Sequence, residues 1–313
     1  MADSCGISPV AIEMITLLAQ ILLLLLAPAI IQAEDQSRRY AVAISTTPVL
    51  NSPGFKGIFG GDDGDSLKTD NCGQIRELEF IALPGTLFAI QEEMLGAQSK
   101  IYRVTTREYP DPPGKGLFID KRFVRTVDAT PTDRHITLPV RDEVIRRLRS
   151  AKGVRYVWGG NVREGISELP EIYPPKNPQQ LTGTKRDLWQ LAGLDCSGLL
   201  YEATGGWTPR NTIALVQYGR PVMIEGLSAD SIVKQLRPLD LIVWPGHLLV
   251  TLDNGAVIES RLYCDGRRSG VAIRPLRERV TEIMSTRKPQ NSMEGKGKSA
   301  GAAFVVRRWH ETD

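Results

Sequence analysis

From His247 to Glu259 the chain reads HLLVTLDNGAVIE, two apolar alternations around one Asp-Asn-Gly turn signal, and an antiparallel hairpin accommodates both. In the first arm Leu248, Val250 and Leu252 point one way, and His247, Leu249 and Thr251 the other. Turn length then decides what chemistry the hairpin can hold. A two-residue Asn-Gly turn pairs Asp253 with Ala256 and sends Glu259 to the face away from His247. A three-residue turn with Gly255 left-handed pairs Leu252 with Ala256 and sets residue 249 opposite 259. His247 and Glu259 are then diagonal on one face, about 7–8 Å apart at Cα. The longer turn also gathers Ala256 and Ile258 with Leu248, Val250 and Leu252 on one apolar side, so it is the expected register.

A second stretch, LAGLDCSGLLYEATGG from Leu191 to Gly206, reads as a helix starting at Cys196. Asp195 or Ser197 caps its free amides, and Leu199, Leu200 and Ala203 form the buried side. At a helix N-terminus the partial positive charge favours a thiolate, and first-turn amides can receive an oxyanion. An inert buried cysteine competes with that reading, so a base is needed. The chain has three histidines: His135 in a polar stretch, His310 near the end, and His247 in the hairpin. His247 is therefore the candidate base, and Glu259 the candidate carboxylate that fixes its tautomer, a solvated strand glutamate being the alternative.

With 39 basic and 36 acidic residues the chain is too balanced for a polyanion-binding surface, and no basic run is interleaved with aromatics, which argues against a nucleic-acid partner. Its 313 residues predict two domains. Residues 40–127 carry short alternating apolar stretches between turn formers, the pattern of a small all-β barrel or sandwich. Residues 128–138 read as a linker. Val140, Val144, Ile145 and Leu148 then recur at helical spacing, with Gly153 as C-cap. The Pro- and Gln-rich stretch 170–187 reads as a lid or specificity loop. Residues 287–303 form a polar, flexible tract, and FVVRRWH returns as a last strand. The GGDDGD segment lacks EF-hand spacing and reads as a solvated loop.

Near the N-terminus, the apolar run Ile15 to Ala33 reads as an export signal cleaved after Ala33. No Lys or Arg precedes it, so a retained membrane anchor is the alternative. Export removes Cys5 and leaves Cys72, Cys196 and Cys264, an odd count that requires at least one free thiol in an oxidising compartment. No Cys or His pair stands at zinc-ligand separation, and Cys72 with Cys264 is a candidate disulfide.

Four blocks stand in order: YVWGGN (156–161), LDCSGLLYEA (194–203), TPRNT (208–212), and RPLDLIVW (237–244) followed by GHLLVTLDNGAVIES (246–260). Together they resemble the NlpC/P60 family of cell-wall cysteine peptidases. The resemblance implies an α+β, papain-like catalytic domain over 140–313, with an insertion at 161–190 that would restrict the cleft. A linker at 131–139 precedes it, and GKGLFIDKRFVR (114–125) resembles part of a bacterial SH3-like barrel over 36–130, able to wall off one end of the cleft. It implies Cys196 as nucleophile, His247 as base, and Glu259 as orienting residue where the family usually has His, Asn or Gln. Tyr156, Asp195 and Ser197 are implied to recognise a substrate α-amino group.

The implied activity is that of an exported cysteine endopeptidase in the periplasm or cell envelope. It would hydrolyse γ-D-glutamyl-diaminopimelate or -lysine bonds in peptidoglycan stem peptides with a free N-terminal L-Ala, with no metal or cofactor. A thiol acyl or amide transferase and a wall-binding protein with an inactive site are the competing readings.

Overall fold

The alternating apolar stretches between residues 40 and 127 become seven strands: β1 (Tyr40–Ala43), β2 (Thr47–Leu50), β3 (Leu78–Ala82), β4 (Leu87–Glu93), β5 (Ile101–Thr105), β6 (Leu117–Asp120) and β7 (Val124–Val127). They form one antiparallel sheet in the order β3-β2-β6-β5-β4-β1-β7. In this computed structural model residues 39–128, 131–293 and 302–310 are described. The apolar run Ile15 to Ala33 and residues 294–301 of the polar tract lie outside them. No helix of the described residues is long and apolar enough to cross a membrane.

A separate SH3-like barrel, expected over 36–130, is not confirmed. Strands β3 and β7 end the sheet without pairing to each other. Its core also takes in Val157, Ile166, Leu169 and Leu191 from beyond the linker. Burial of these four closes a core that the N-terminal strands leave open.

The second half begins with α1 (Arg141–Ser150), which buries Val144, Ile145 and Leu148. Val140 departs from the expected stripe: it is the N-cap residue, 74% exposed. Gly153 has φ +89, as the chain reversal after the helix requires. Next come α2 (Gly183–Trp189), α3 (Cys196–Ala203), α4 (Ala229–Gln235) and α5 (Leu276–Met284). The second sheet runs β8-β13-β9-β10-β11-β12. Its strands are β8 (Arg220–Val222), β9 (Leu241–Trp244), β10 (His247–Thr251), β11 (Ala256–Arg261), β12 (Gly270–Pro275) and β13 (Ala303–Arg308). The expected last strand is thus β13, paired on both sides, to β8 and β9.

The insertion at 161–190, including the stretch 170–187 expected as a lid or specificity loop, packs against the N-terminal half. Its apolar residues Ile166 and Leu169 are fully buried in the N-terminal core, and the Tyr173 ring stacks on Phe55 and Phe59 at 5.9 and 5.4 Å. The Lys176 amide donates to the Gly64 carbonyl at 2.8 Å. Proline-rich composition hid a bracket that joins the two halves.

Helix α3 crosses the start of that bracket at a glycine. A Cβ on Gly198 would meet the Gly160 carbonyl oxygen at 2.0 Å and the Asn161 Cα at 3.0 Å. Both neighbours are backbone in a buried region, so neither can swing away. Gly198→Ala is therefore expected to destabilise the fold by about 2–3 kcal/mol, visible as a lower thermal midpoint. An unchanged midpoint would show that α3 can shift without cost.

Candidate active site

Helix α3 begins at Cys196 because Asp195 closes its end, accepting the Gly198 amide at Oδ1 over 2.6 Å. The expected buried side, Leu199, Leu200 and Ala203, packs into the core. Cys196 is the free cysteine among the described residues, 8% exposed, and the backbone amides of Leu248 and Ser197 act to lower the pKa of its thiol. Leu248 is the second residue of β10, and Gly246, just before β10, lines the same cavity as Cys196. His247 is bracketed between two residues that adjoin the cysteine.

The hairpin register pairs Val250 with Ile258 and Thr251 with Val257. The Leu252 amide donates to the Ala256 carbonyl at 2.9 Å, and Asn254 and Gly255 both have positive φ, +57 and +67. This is the three-residue turn expected from the apolar pattern. It brings His247 Nε2 to 2.7 Å from Glu259 Oε2. Burial alone would raise the pKa of Glu259, which is 2% exposed, but hydrogen bonds from His247 and Arg279 hold it down at about 2. Glu259 is thus a carboxylate acceptor. Facing that acceptor Nε2 is the donor, which leaves Nδ1 on the other side of the ring.

The expected thiolate is where sequence reasoning fails. Burial first, then the Asp195 carboxylate, pushes the Cys196 thiol up to about 12, against the pull of Arg210 and the two amides. Desolvation outweighs the helix terminus at a position this enclosed. Cys196 rests as a neutral thiol, and attack requires that a base take its proton.

Tyr156, Asp195 and Ser197 line one cavity of about 110 Å³ with Cys196. Burial first, then the charge of Asp195, pushes the Tyr156 phenol well above its usual value, so it stays neutral. The Asp195 carboxylate receives Arg210 Nη1 at 3.0 Å and Nη2 at 2.7 Å. Ser197 Oγ donates to Asp195 at 3.2 Å and accepts from Arg210 at 2.8 Å. The charge of Asp195 is therefore matched inside the protein.

The other carboxylate of the cavity is Glu79 of β3, which accepts from Asn51 Nδ2 at 2.5 Å and from the Tyr109 hydroxyl at 2.9 Å. The N-terminal sheet thereby supplies a wall of the site. A Cys72–Cys264 disulfide ties the loop before β3 to the loop after β11. Two residues on from Cys72, the Gln74 side chain accepts the amide of Trp158 at 2.9 Å, and Trp158 lines the cavity. No residue of the 161–190 insertion lines it. Larger cavities of about 450 and 600 Å³ lie against Leu188 and against Tyr173, away from Cys196 and His247. Among the described residues no group of three or more His, Cys, Asp or Glu could hold a metal ion.

Sequence reasoning missed Glu79, Arg210 and Arg279. Arg210 stood inside the TPRNT block without a role. Arg279 did carry a signal: it falls on the buried stripe of α5 with Leu276, Val280 and Ile283, where an arginine needs a carboxylate partner. Glu79 carried none, since only the docking of the two halves places it here.

No protein-family model matches the chain, and no curated protein does. Among solved structures it is similar to an NlpC/P60 family protein from Bacillus cereus, with 18% identity, 88% of this chain and 65% of that one covered, and a TM-score of 0.31. It is similar to the peptidoglycan hydrolase RipB from Mycobacterium tuberculosis, with 25% identity, 55% of this chain and 65% of that one, and a TM-score of 0.31. It is also similar to RipD from Mycobacterium tuberculosis, a non-catalytic NlpC/P60 domain protein adapted to peptidoglycan binding, with 23% identity, 44% of this chain and 89% of that one, and a TM-score of 0.29. The match spans just under two thirds, 65%, of each of the first two chains. At these TM-scores the likeness carries no argument about activity; the chemistry of the site does.

Proposed function

We propose that this chain is an exported cysteine peptidase that hydrolyses the γ-D-glutamyl bond of peptidoglycan stem peptides with a free N-terminal amine. The observation that carries the reading is the hold of Glu259 on His247 at 2.7 Å beside a cysteine at a helix N-terminus. His247 Nδ1 takes the thiol proton as Cys196 Sγ bonds to the substrate carbonyl carbon. First-turn amides of α3 receive the oxyanion. Collapse breaks the C–N bond, and the same nitrogen returns the proton to the leaving amine, leaving a thioester. Water, deprotonated by His247, then releases the acid and restores the thiol.

The cavity supports an amine at the other end of the substrate. It is small, about 110 Å³, and carries Glu79, a carboxylate with no ion pair among the described residues, beside the hydroxyls of Tyr156 and Ser197. In this reading Tyr156 and Ser197 orient the ammonium and Asp195 contributes through its fixed carboxylate. A cavity this small favours short free-amine peptides over N-blocked ones.

The test is mass spectrometry of free-amine and N-acetylated tri- and tetrapeptide stems, and of intact sacculi, with the mature protein and Cys196→Ala. Cleavage confined to free-amine stems and lost in the variant is the expected result. Glu79→Gln is expected to raise KM for free stems about 10- to 100-fold, the worth of a charged hydrogen bond. Equal cleavage of N-acetylated stems would refute amine recognition. Binding of stems without cleavage would instead favour a non-catalytic wall-binding role of the kind that RipD carries.

A further inference from the structure

The carboxylate that holds His247 is itself held. Arg279 of α5 donates Nε to Glu259 Oε1 at 2.6 Å and Nη2 to Oε2 at 2.9 Å. The Oε2 oxygen is thus shared between His247 and Arg279. Both side chains of the ion pair are closed off, 4% and 2% exposed. A bidentate pair sealed this way presents to the imidazole an acceptor oxygen with little net charge behind it.

We propose that Arg279 is a positioning residue that makes Glu259 act on His247 as an uncharged acceptor would, orienting the ring without holding it protonated. The inference rests on reading Cys196 and His247 as nucleophile and base. A lone carboxylate 2.7 Å from the ring, in a site this dry, would favour the imidazolium and delay release of the base to higher pH. Paired to Arg279, the same carboxylate fixes the tautomer and leaves Nδ1 free.

The other charges around the pair do not undo this. Arg279 Nη1 lies 3.4 Å from Glu282, and that carboxylate is also engaged by Arg261 at 3.3 Å and Arg274 at 2.6 Å. Tyr263 lies near Arg279, and its ring carries the guanidinium groups of Arg261 and Arg267. On the histidine side the Trp244 ring sits 5.2 Å from the imidazole, with Arg287 stacked over the indole at 4.5 Å. Glu259 is the only anion in hydrogen-bond contact with His247 among the described residues.

The test is the pH dependence of Cys196 alkylation by iodoacetamide in the whole mature chain, which reads the thiol and its base without any peptide. In Arg279→Met the acid limb is expected to move up by about one pH unit, the size of one nearby charge, while Arg279→Lys keeps it in place. In the double variant Glu259→Gln/Arg279→Met, a neutral acceptor without the cation, the limb is expected to return to the wild-type position. A limb unmoved in folded Arg279→Met, with alkylation slowed equally at all pH values, would show a structural anchor only and overturn the proposal. If Arg279→Met does not fold, the double variant decides: a wild-type limb supports the proposal, and a displaced one overturns it. A limb shift in a protein that cleaves no stem peptide would refute the substrate reading and uphold the role of Arg279. A wild-type profile with no acid limb would refute both.

Discussion

Cys196→Ala is expected to lower cleavage of stem peptides about a million-fold, and His247→Ala by a similar factor, with the double variant no worse than either. The two act as one unit, because neither the thiol nor the imidazole reacts alone at neutral pH. Loss of the base is severe here for a local reason. With the thiol pushed up to about 12, almost none of it is ionised at neutral pH without help. The same fact predicts a stability effect. The folded thiol stays neutral while an unfolded one ionises from about pH 8.5 upward, so stability is full below that pH and falls as the pH climbs toward the folded value. The alanine variant lacks this loss. Relative to wild type its melting temperature is therefore expected to improve between about pH 8 and about pH 10.5, and an unchanged difference would mean that the sulfur is not held neutral by burial.

What the sequence made legible was local. The hairpin register followed from which residues would share an apolar side, and the start of α3 from one aspartate before a glycine-containing turn; both depend on neighbours in the chain. The thiol's acidity misled because a helix terminus can be read from sequence, whereas the depth at which it is buried cannot. The bracket at 161–190 was misread because prolines and glutamines outnumber Ile166, Leu169 and Trp189, which do the packing. Val140 fits the helical period yet lies one residue before the helix, where period no longer fixes direction. Glu79 reaches the site across 117 positions of chain from Cys196, so only the packed fold reveals it. Arg210 and Arg279 fall between these cases, since each stood in a readable element while its carboxylate partner lay elsewhere.

Arg210→Met is the substitution with the largest expected effect on the fold. Arg210 is 3% exposed and spends its donors on Asp195, Ser197, Asn161 and the Gly160 carbonyl. Asp195 keeps it charged in spite of burial, which by itself would favour the neutral form. Removing the cation leaves Asp195 buried and unpaired beneath the helix that carries Cys196, a loss of about 3–5 kcal/mol. The damage extends beyond the pair. Asn161, which accepts Arg210 Nε at 3.0 Å, also accepts the Ile81 amide at 2.9 Å and donates to the Ile81 carbonyl at 2.8 Å. Through it Arg210 reaches β3, the strand that carries Glu79. The variant is therefore expected both to melt lower and to lose affinity for free-amine peptides. Asp195→Asn/Arg210→Met removes the lone charge and is expected to recover part of the melting temperature, because breaking a buried pair costs more than replacing it. A double variant less stable than Arg210→Met would mean that the hydrogen bonds to Asn161 and Gly160, and not the charge of Asp195, are what the arginine is there to make.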